Sequence, residues 1–138
     1  MSQHGGVVLD ASAAVSWVLG DGDPKDEATI DEVVTTGFVL VPELWHIEMA
    51  NALRSALRTG RIDEEFVVQV CEQLDQLDIR TDVVSTQIHR LALSAHDHAL
   101  TAYDMTYLLL AKDRGLPLVT LDRLLARAAA KAQVELVL

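Results

Sequence analysis

Cysteine is almost absent from this chain of 138 residues: Cys71 stands alone, so no bridge can form within the chain and the fold must rest on its buried core. A chain of this length can bury a sufficient core without staples and reads as one domain, 1–138. Cys71 falls in a helical pattern with Phe66, Val67, Val70, Leu74 and Leu77 and is expected to fill the core. Long apolar runs are also missing, which excludes a membrane-spanning helix. The first six residues lack basic side chains and the apolar run 7–9 is short, so no signal peptide is expected and the reading is a cytoplasmic protein. There is no repeat, low-complexity tract or Pro/Gly/Ser linker. Basic residues are scarce: 11 Lys and Arg against 21 Asp and Glu give a formal charge of −10, the wrong sign for a polyanion binder. Six of those acids crowd between Asp21 and Glu32, where a solvated loop and helix are expected.

What is present is an apolar half made mostly of Ala, Val and Leu, with few aromatics. Short β-branched runs alternate with helical periodicity. Strands are expected at 7–9, 38–41, 79–83, 116–120 and 134–138. Helices are expected at 11–19, 25–36, 42–59, 63–77, 85–95, 101–114 and 123–132. Pro42 suits the first turn of its helix, and Gly60 lies just past that helix's end. This alternation implies an α/β chain, with right-handed crossovers and a mostly parallel sheet of four to five strands covered on both faces as a three-layer α/β/α sandwich.

Four acids occupy telling places in that scheme. Asp10 closes the first strand and Asp122 follows the strand at 116–120, positions where open parallel sheets gather ligands. Asp104 opens a helix, where the dipole favours an anion. Glu48 lies on the same stripe as Leu44 and Ala52 and so faces inward or toward a cleft. Taken singly, Asp10 and Asp122 also read as helix N-caps, and Asp104 as partner to a Thr101 cap. Glu48 resists that reading, since a carboxylate among apolar neighbours is costly unless paired or metal-bound. Four carboxylates turned to one pocket would repel unless a cation joined them. Oxygen-only ligands suit Mg2+ or Mn2+, and phosphodiester hydrolysis is the chemistry that follows. Zinc fits poorly, because the five histidines show no ligand spacing with a cysteine, and His96 and His98 read as a solvated helix end.

Val8-Leu9-Asp10-Ala11-Ser12-Ala13, Glu48 with Asn51 and Leu53, Tyr103-Asp104-Met105-Thr106-Tyr107-Leu108 with Ala111, and Leu118-Val119-Thr120-Leu121-Asp122 resemble the successive motifs of PIN-domain proteins, in particular VapC-like toxins. The resemblance spans nearly the whole chain. It implies an Mg2+- or Mn2+-dependent endoribonuclease, the toxin of a toxin–antitoxin pair, acting as a homodimer and blocked by a cognate VapB-like antitoxin protein. By position, Asp10, Glu48, Asp104 and Asp122 match the family's acidic quartet and are the expected metal ligands and catalytic groups. Ser12 and Thr120 match hydroxyl positions beside them, and Asn51 a polar position one turn after Glu48. Met105 departs from the small residue often found after the third acid. The stretch Arg123, Leu124, Leu125 and Ala126 lacks the further acid some relatives carry.

Arg54, Arg58 and Arg61 are candidates for RNA phosphates, with solvated helix-end arginines as the other reading. Trp17 and Trp45 lie on apolar stripes and read as core or dimer packing before base stacking. The 63–77 helix either packs inward or offers a groove wall to an antitoxin helix. Two other classes compete with the nuclease: a catalytically weak interaction module of the same fold, and a phosphatase of the haloacid-dehalogenase type. The phosphatase needs a second aspartate two residues after Asp10, where Ser12 stands.

Overall fold

The computed structural model describes residues 5–83 and 87–138. Four short strands, β1 (Val7–Leu9), β2 (Val39–Pro42), β3 (Ile79–Asp82) and β4 (Leu118–Val119), form one sheet in the order β3-β2-β1-β4. Every pairing is parallel: Val7 faces Val39, Val8 faces Leu118, and Pro42 faces Asp82. β1 and β2 are apolar throughout and buried, as expected of strands covered on both faces.

Helices α1 (Ala11–Leu19) and α2 (Pro24–Thr36) join β1 to β2, and α3 (Glu43–Arg58) and α4 (Glu64–Asp75) join β2 to β3. The return from β3 to β4 carries α5 (Ile88–His98) and α6 (Ala102–Arg114), and α7 (Arg123–Lys131) follows β4. Two successive crossovers step one way along the sheet and the third steps back. With right-handed connections this puts α1 to α4 on one face and α5 and α6 on the other. α6 is the central helix of its face, packing on β1, β2, β4, α5 and α7. Its run Met105, Tyr107, Leu108, Leu109, Leu110 and Ala111 is buried. Gly115, at φ 65, ends it in the left-handed conformation that a side chain resists, freeing the chain to enter β4.

The expected α/β sandwich is present, with four strands. Several boundaries move for identifiable reasons. Pro42 ends β2 and stands as the N-cap of α3, outside the helix it was expected to begin. The strand expected at 134–138 reduces to a single parallel bridge, Leu118 to Leu136, made by Leu118 N–H on Glu135 and Val137 N–H on Leu118. Pro117 brings no N–H to that edge, and Thr120 leaves the strand to reach two aspartates. The expected start of α5 at Ser85 lies outside the described residues.

Cys71 is exposed and not core, because Val70 takes the inward position of α4 and Cys71 lies about 100° further round. α4 itself packs inward: Phe66 and Leu74 lie against the core beside Val70. Trp17 and Trp45 are core residues, and Trp17 satisfies its indole by donating to Asp31 at 3.1 Å. The acid-rich stretch is solvated, with Asp21, Asp23, Asp31 and Glu32 exposed. No helix among the described residues is long and apolar enough to cross a membrane.

Candidate functional site

The strand order 3-2-1-4 reverses between β1 and β4. The crevice beyond the carboxyl ends of those two strands is the position where open parallel sheets place ligands. Asp10 leaves β1 there, and Thr120 and Asp122 leave β4.

Asp10 occupies the N-cap position of α1 with extended backbone, φ −72 and ψ 148, but its side chain makes no cap bond. Two hydroxyls hold it instead: Ser12 Oγ donates to Oδ2 at 2.6 Å and Thr120 Oγ1 donates to the same oxygen at 2.7 Å. Asp10 is only 5 % exposed. Burial pushes its carboxyl above the ordinary aspartate range and the charge of Asp122 adds to that, while Ser12, Thr120 and the Ala11 backbone pull the other way. Thr120 Oγ1 also accepts the Asp122 N–H at 3.0 Å, and Ser12 Oγ accepts the Leu121 N–H at 3.1 Å. Two side-chain hydroxyls thus tie the ends of β1 and β4 together across more than a hundred residues of chain.

Asp122 does cap its helix. Leu124 and Leu125 donate to it at 2.9 and 3.1 Å, both on Oδ1, and among the described residues Oδ2 accepts nothing. Asp104 lies in the first turn of α6, which Thr101 caps by accepting the Asp104 N–H at 3.1 Å. The Asp104 carboxyl titrates above its ordinary range, first through burial and then through the charges of Asp122 and Asp10. Glu48, in the second turn of α3, is half-buried and likewise raised, by burial first and by the charges of Asp10 and Asp104. The four acids therefore share one electrostatic site, each raised group feeling the charge of at least one other member.

Tyr107 completes the set. It lies one turn beyond Asp104 on α6, is fully buried, and donates its hydroxyl to Glu48 Oε1 at 2.5 Å. That bond lowers the Glu48 carboxyl against the other terms and helps push the phenol far above its usual range. Sequence reasoning placed Tyr107 in a motif without giving it a role. The signal was its three-residue spacing from Asp104, which puts both on one helix face.

Asp10, Glu48, Asp104, Asp122, Ser12 and Thr120 all converge here, while Asn51 is exposed on α3. Arg61 forms an ion pair with Asp21. Arg54 and Arg58 lie about 9 and 15 Å further along the α3 axis than Glu48, on a helix whose first half carries Glu43 and Glu48. An apolar groove of about 370 Å³, lined by Pro42, Leu44, Val83, Ile88, Leu91 and Thr106 among others, contains none of the four acids.

A divalent cation is the natural complement of such a set. Among the described residues no three acids are placed tightly enough to cage an ion. The donor chemistry nevertheless fits a hard cation: all ligand atoms are oxygens, Asp122 Oδ2 and Glu48 Oε2 accept no hydrogen bond among the described residues, and the mutual repulsion is what a cation relieves. Mg2+ in particular keeps several waters and needs only one or two carboxylates plus substrate phosphate, so a loose set suits it.

Fold and site together define a parallel α/β sandwich with a carboxylate cluster at its switch point. The PIN domain profile matches residues 7–131, nearly the full length, and the chain belongs to the PIN-domain family. Members of that family are generally nucleases and typically use divalent metal ions. Among curated proteins none matches the chain significantly. Seven chains of solved structures match, among them the crystal structure of PAE2754 from Pyrobaculum aerophilum. It is 23 % identical over 93 % of this chain and 87 % of its own, with a TM-score of 0.70. At that identity the likeness speaks for the fold.

Proposed function

We propose that the protein is an Mg2+- or Mn2+-dependent endoribonuclease and the toxin of a toxin–antitoxin pair. The observation that carries the nuclease reading is Asp10. A carboxylate at an N-cap position that forgoes capping, and whose burial among other acids outweighs the hydroxyl and backbone bonds it accepts, costs more than its tie between β1 and β4 alone would require. Its position suits a ligand group.

Asp10, Asp104 and Asp122 would hold the cation, with Glu48 completing the set through Oε2. A bound Mg2+ or Mn2+ supplies a water of lowered pKa and neutralises charge on the phosphodiester. Ser12 and Thr120 fix the orientation of Asp10, and Tyr107 fixes that of Glu48, so the ligands keep one geometry through the reaction. Among the described residues the Glu48 carboxylate accepts only the Tyr107 hydroxyl, on Oε1, which leaves Oε2 open to receive a proton.

The partners follow from the toxin reading: an RNA substrate, a second copy of the chain, and an antitoxin that covers the acids. Purified protein incubated with total RNA should cut it with Mn2+ or Mg2+ present and not in EDTA, releasing internal fragments. Cleavage undiminished in EDTA, or turnover of an aryl phosphate with RNA untouched, would overturn the reading. For the toxin role, induction in cells should stop growth and leave new RNA ends, and co-expression of a cognate VapB-like antitoxin should restore growth.

A further inference from the structure

α7 carries three cations and no acid, in a protein whose formal charge is −10. Arg123, Arg127 and Lys131 recur every four residues and are all exposed, while Leu125, Ala128 and Ala129 are buried on the opposite side. At 100° per residue the three cations fall within about 80° of one another, a single stripe. Ala130 and the exposed Leu124 border that stripe, each about 20° beyond one of its edges. Arg61, Arg80, Arg90 and Arg114 are committed to aspartates, whereas no ion pair among the described residues engages any of the three on α7. The stripe begins at Arg123, the residue after Asp122, whose carboxylate belongs to the acidic site. It then runs about 12 Å from there, with steps of about 6 Å that match an extended chain of phosphates.

We infer that this face of α7 is the track on which the RNA backbone lies as it leaves the acidic site. The inference rests on the nuclease reading for its ligand and adds the path. The juxtaposition is what favours RNA over an acidic protein segment: the cations start at the group that would hold the phosphate-binding metal and continue in line. It also answers the charge objection, because the polyanion meets the one helix among the described residues that carries only positive charge.

The test is binding of a fluorescein-labelled single-stranded RNA of about 20 nucleotides, phosphorothioate throughout to resist cutting, by anisotropy across a salt series in Mg2+. The Arg123→Gln/Arg127→Gln/Lys131→Gln variant removes three phosphate contacts. It should flatten the dependence of log Kd on log salt by about 2 and weaken binding on the order of a hundredfold near 0.1 M salt. Lys25→Gln, on α2, should leave the slope unchanged. The charge-retaining variant Arg123→Lys/Arg127→Lys, with Lys131 unchanged, should keep the wild-type slope, which a merely folded surface would not require. Unfolding is not expected to confuse the result, since Gln is a good helix former at exposed positions, and the thermal midpoint checks it.

If the wild type cuts RNA in Mn2+ while the Gln variant binds with an unchanged slope, the track is wrong and the nuclease stands. Stripe-dependent binding without any cutting would remove the nuclease and leave the track. Preference of the stripe for polyglutamate over RNA would overturn the track in favour of an acidic protein partner.

Discussion

Tyr107→Phe removes one oxygen from a fully buried ring and leaves the ring's packing in place. What is lost is the bond to Glu48 Oε1. Hydrogen bonds to charged groups contribute about 1.5–3 kcal/mol when both partners are sealed from water. Glu48 is only half-buried and can recruit water in place of the phenol, so the stability cost should fall below that range, about 1 kcal/mol in urea denaturation. The larger effect should fall on the metal. Removing a group that orients a metal ligand typically costs 10–100-fold in affinity, about 1.4–2.7 kcal/mol. Titration calorimetry with Mn2+ reads it directly. Because the Tyr107 bond lowers the Glu48 carboxyl, its loss should also move the pH dependence of Mn2+ binding upward. Glu48→Gln should weaken Mn2+ binding too, and the double variant should lose less than the sum, since both act through one carboxylate. Wild-type Mn2+ affinity in Tyr107→Phe, or strict additivity with Glu48→Gln, would refute the claim that Tyr107 acts by positioning Glu48.

Thr120→Val should destabilise the protein by about 1–3 kcal/mol, because it strips one donor from buried Asp10 and the acceptor from the Asp122 N–H. Thr120→Ser should recover most of that, and an unchanged urea midpoint in the valine variant would mean the bonds are idle. Asp10, Glu48 and Asp104 all titrate above their ordinary ranges in the fold. For acids raised by folding, stability is fully present below the unfolded pKa and is lost as pH rises through the folded one. In EDTA the thermal midpoint should therefore be lower near pH 7 than near pH 5, and saturating Mn2+ should flatten that difference. A pH dependence that Mn2+ leaves untouched would place the raised acids outside the metal site. Asp104→Asn should raise the metal-free midpoint by relieving repulsion from Asp122 and Asp10, the usual exchange of stability for a functional site.

The parallel sheet was legible because β1 and β2 are unbroken apolar runs and because the helices between strands kept their 3.6-residue period. Edges were less so. The expected C-terminal strand failed because nothing in 134–138 distinguishes a ladder from one bridge, and Cys71 was misplaced because two neighbouring positions on an amphipathic helix carry equally apolar side chains. At the site, the sequence located the acids and even their ambiguity. Capping and site roles coincide in Asp122, whose Oδ1 caps and whose Oδ2 accepts nothing, whereas Asp10 only looks like a cap. That distinction lies in which donors reach the carboxylate. Thr120, 110 residues away, is one of them, and no local pattern encodes such a contact. Tyr107 escaped for the same reason, since its partner Glu48 is 59 residues upstream.

The central claim is that the carboxylates of the β1/β4 crevice act together on RNA through a divalent cation. Its most direct test is the single-turnover rate of RNA cleavage in Mn2+ by the wild type and by Asp104→Asn, a variant of the same shape lacking one ligand charge. The account predicts cutting by the wild type and a loss of at least about a hundredfold in the variant, more than an orienting residue alone would cause, with the circular dichroism spectrum intact and the thermal midpoint no lower than that of the wild type. Equal cleavage by the two proteins would contradict it.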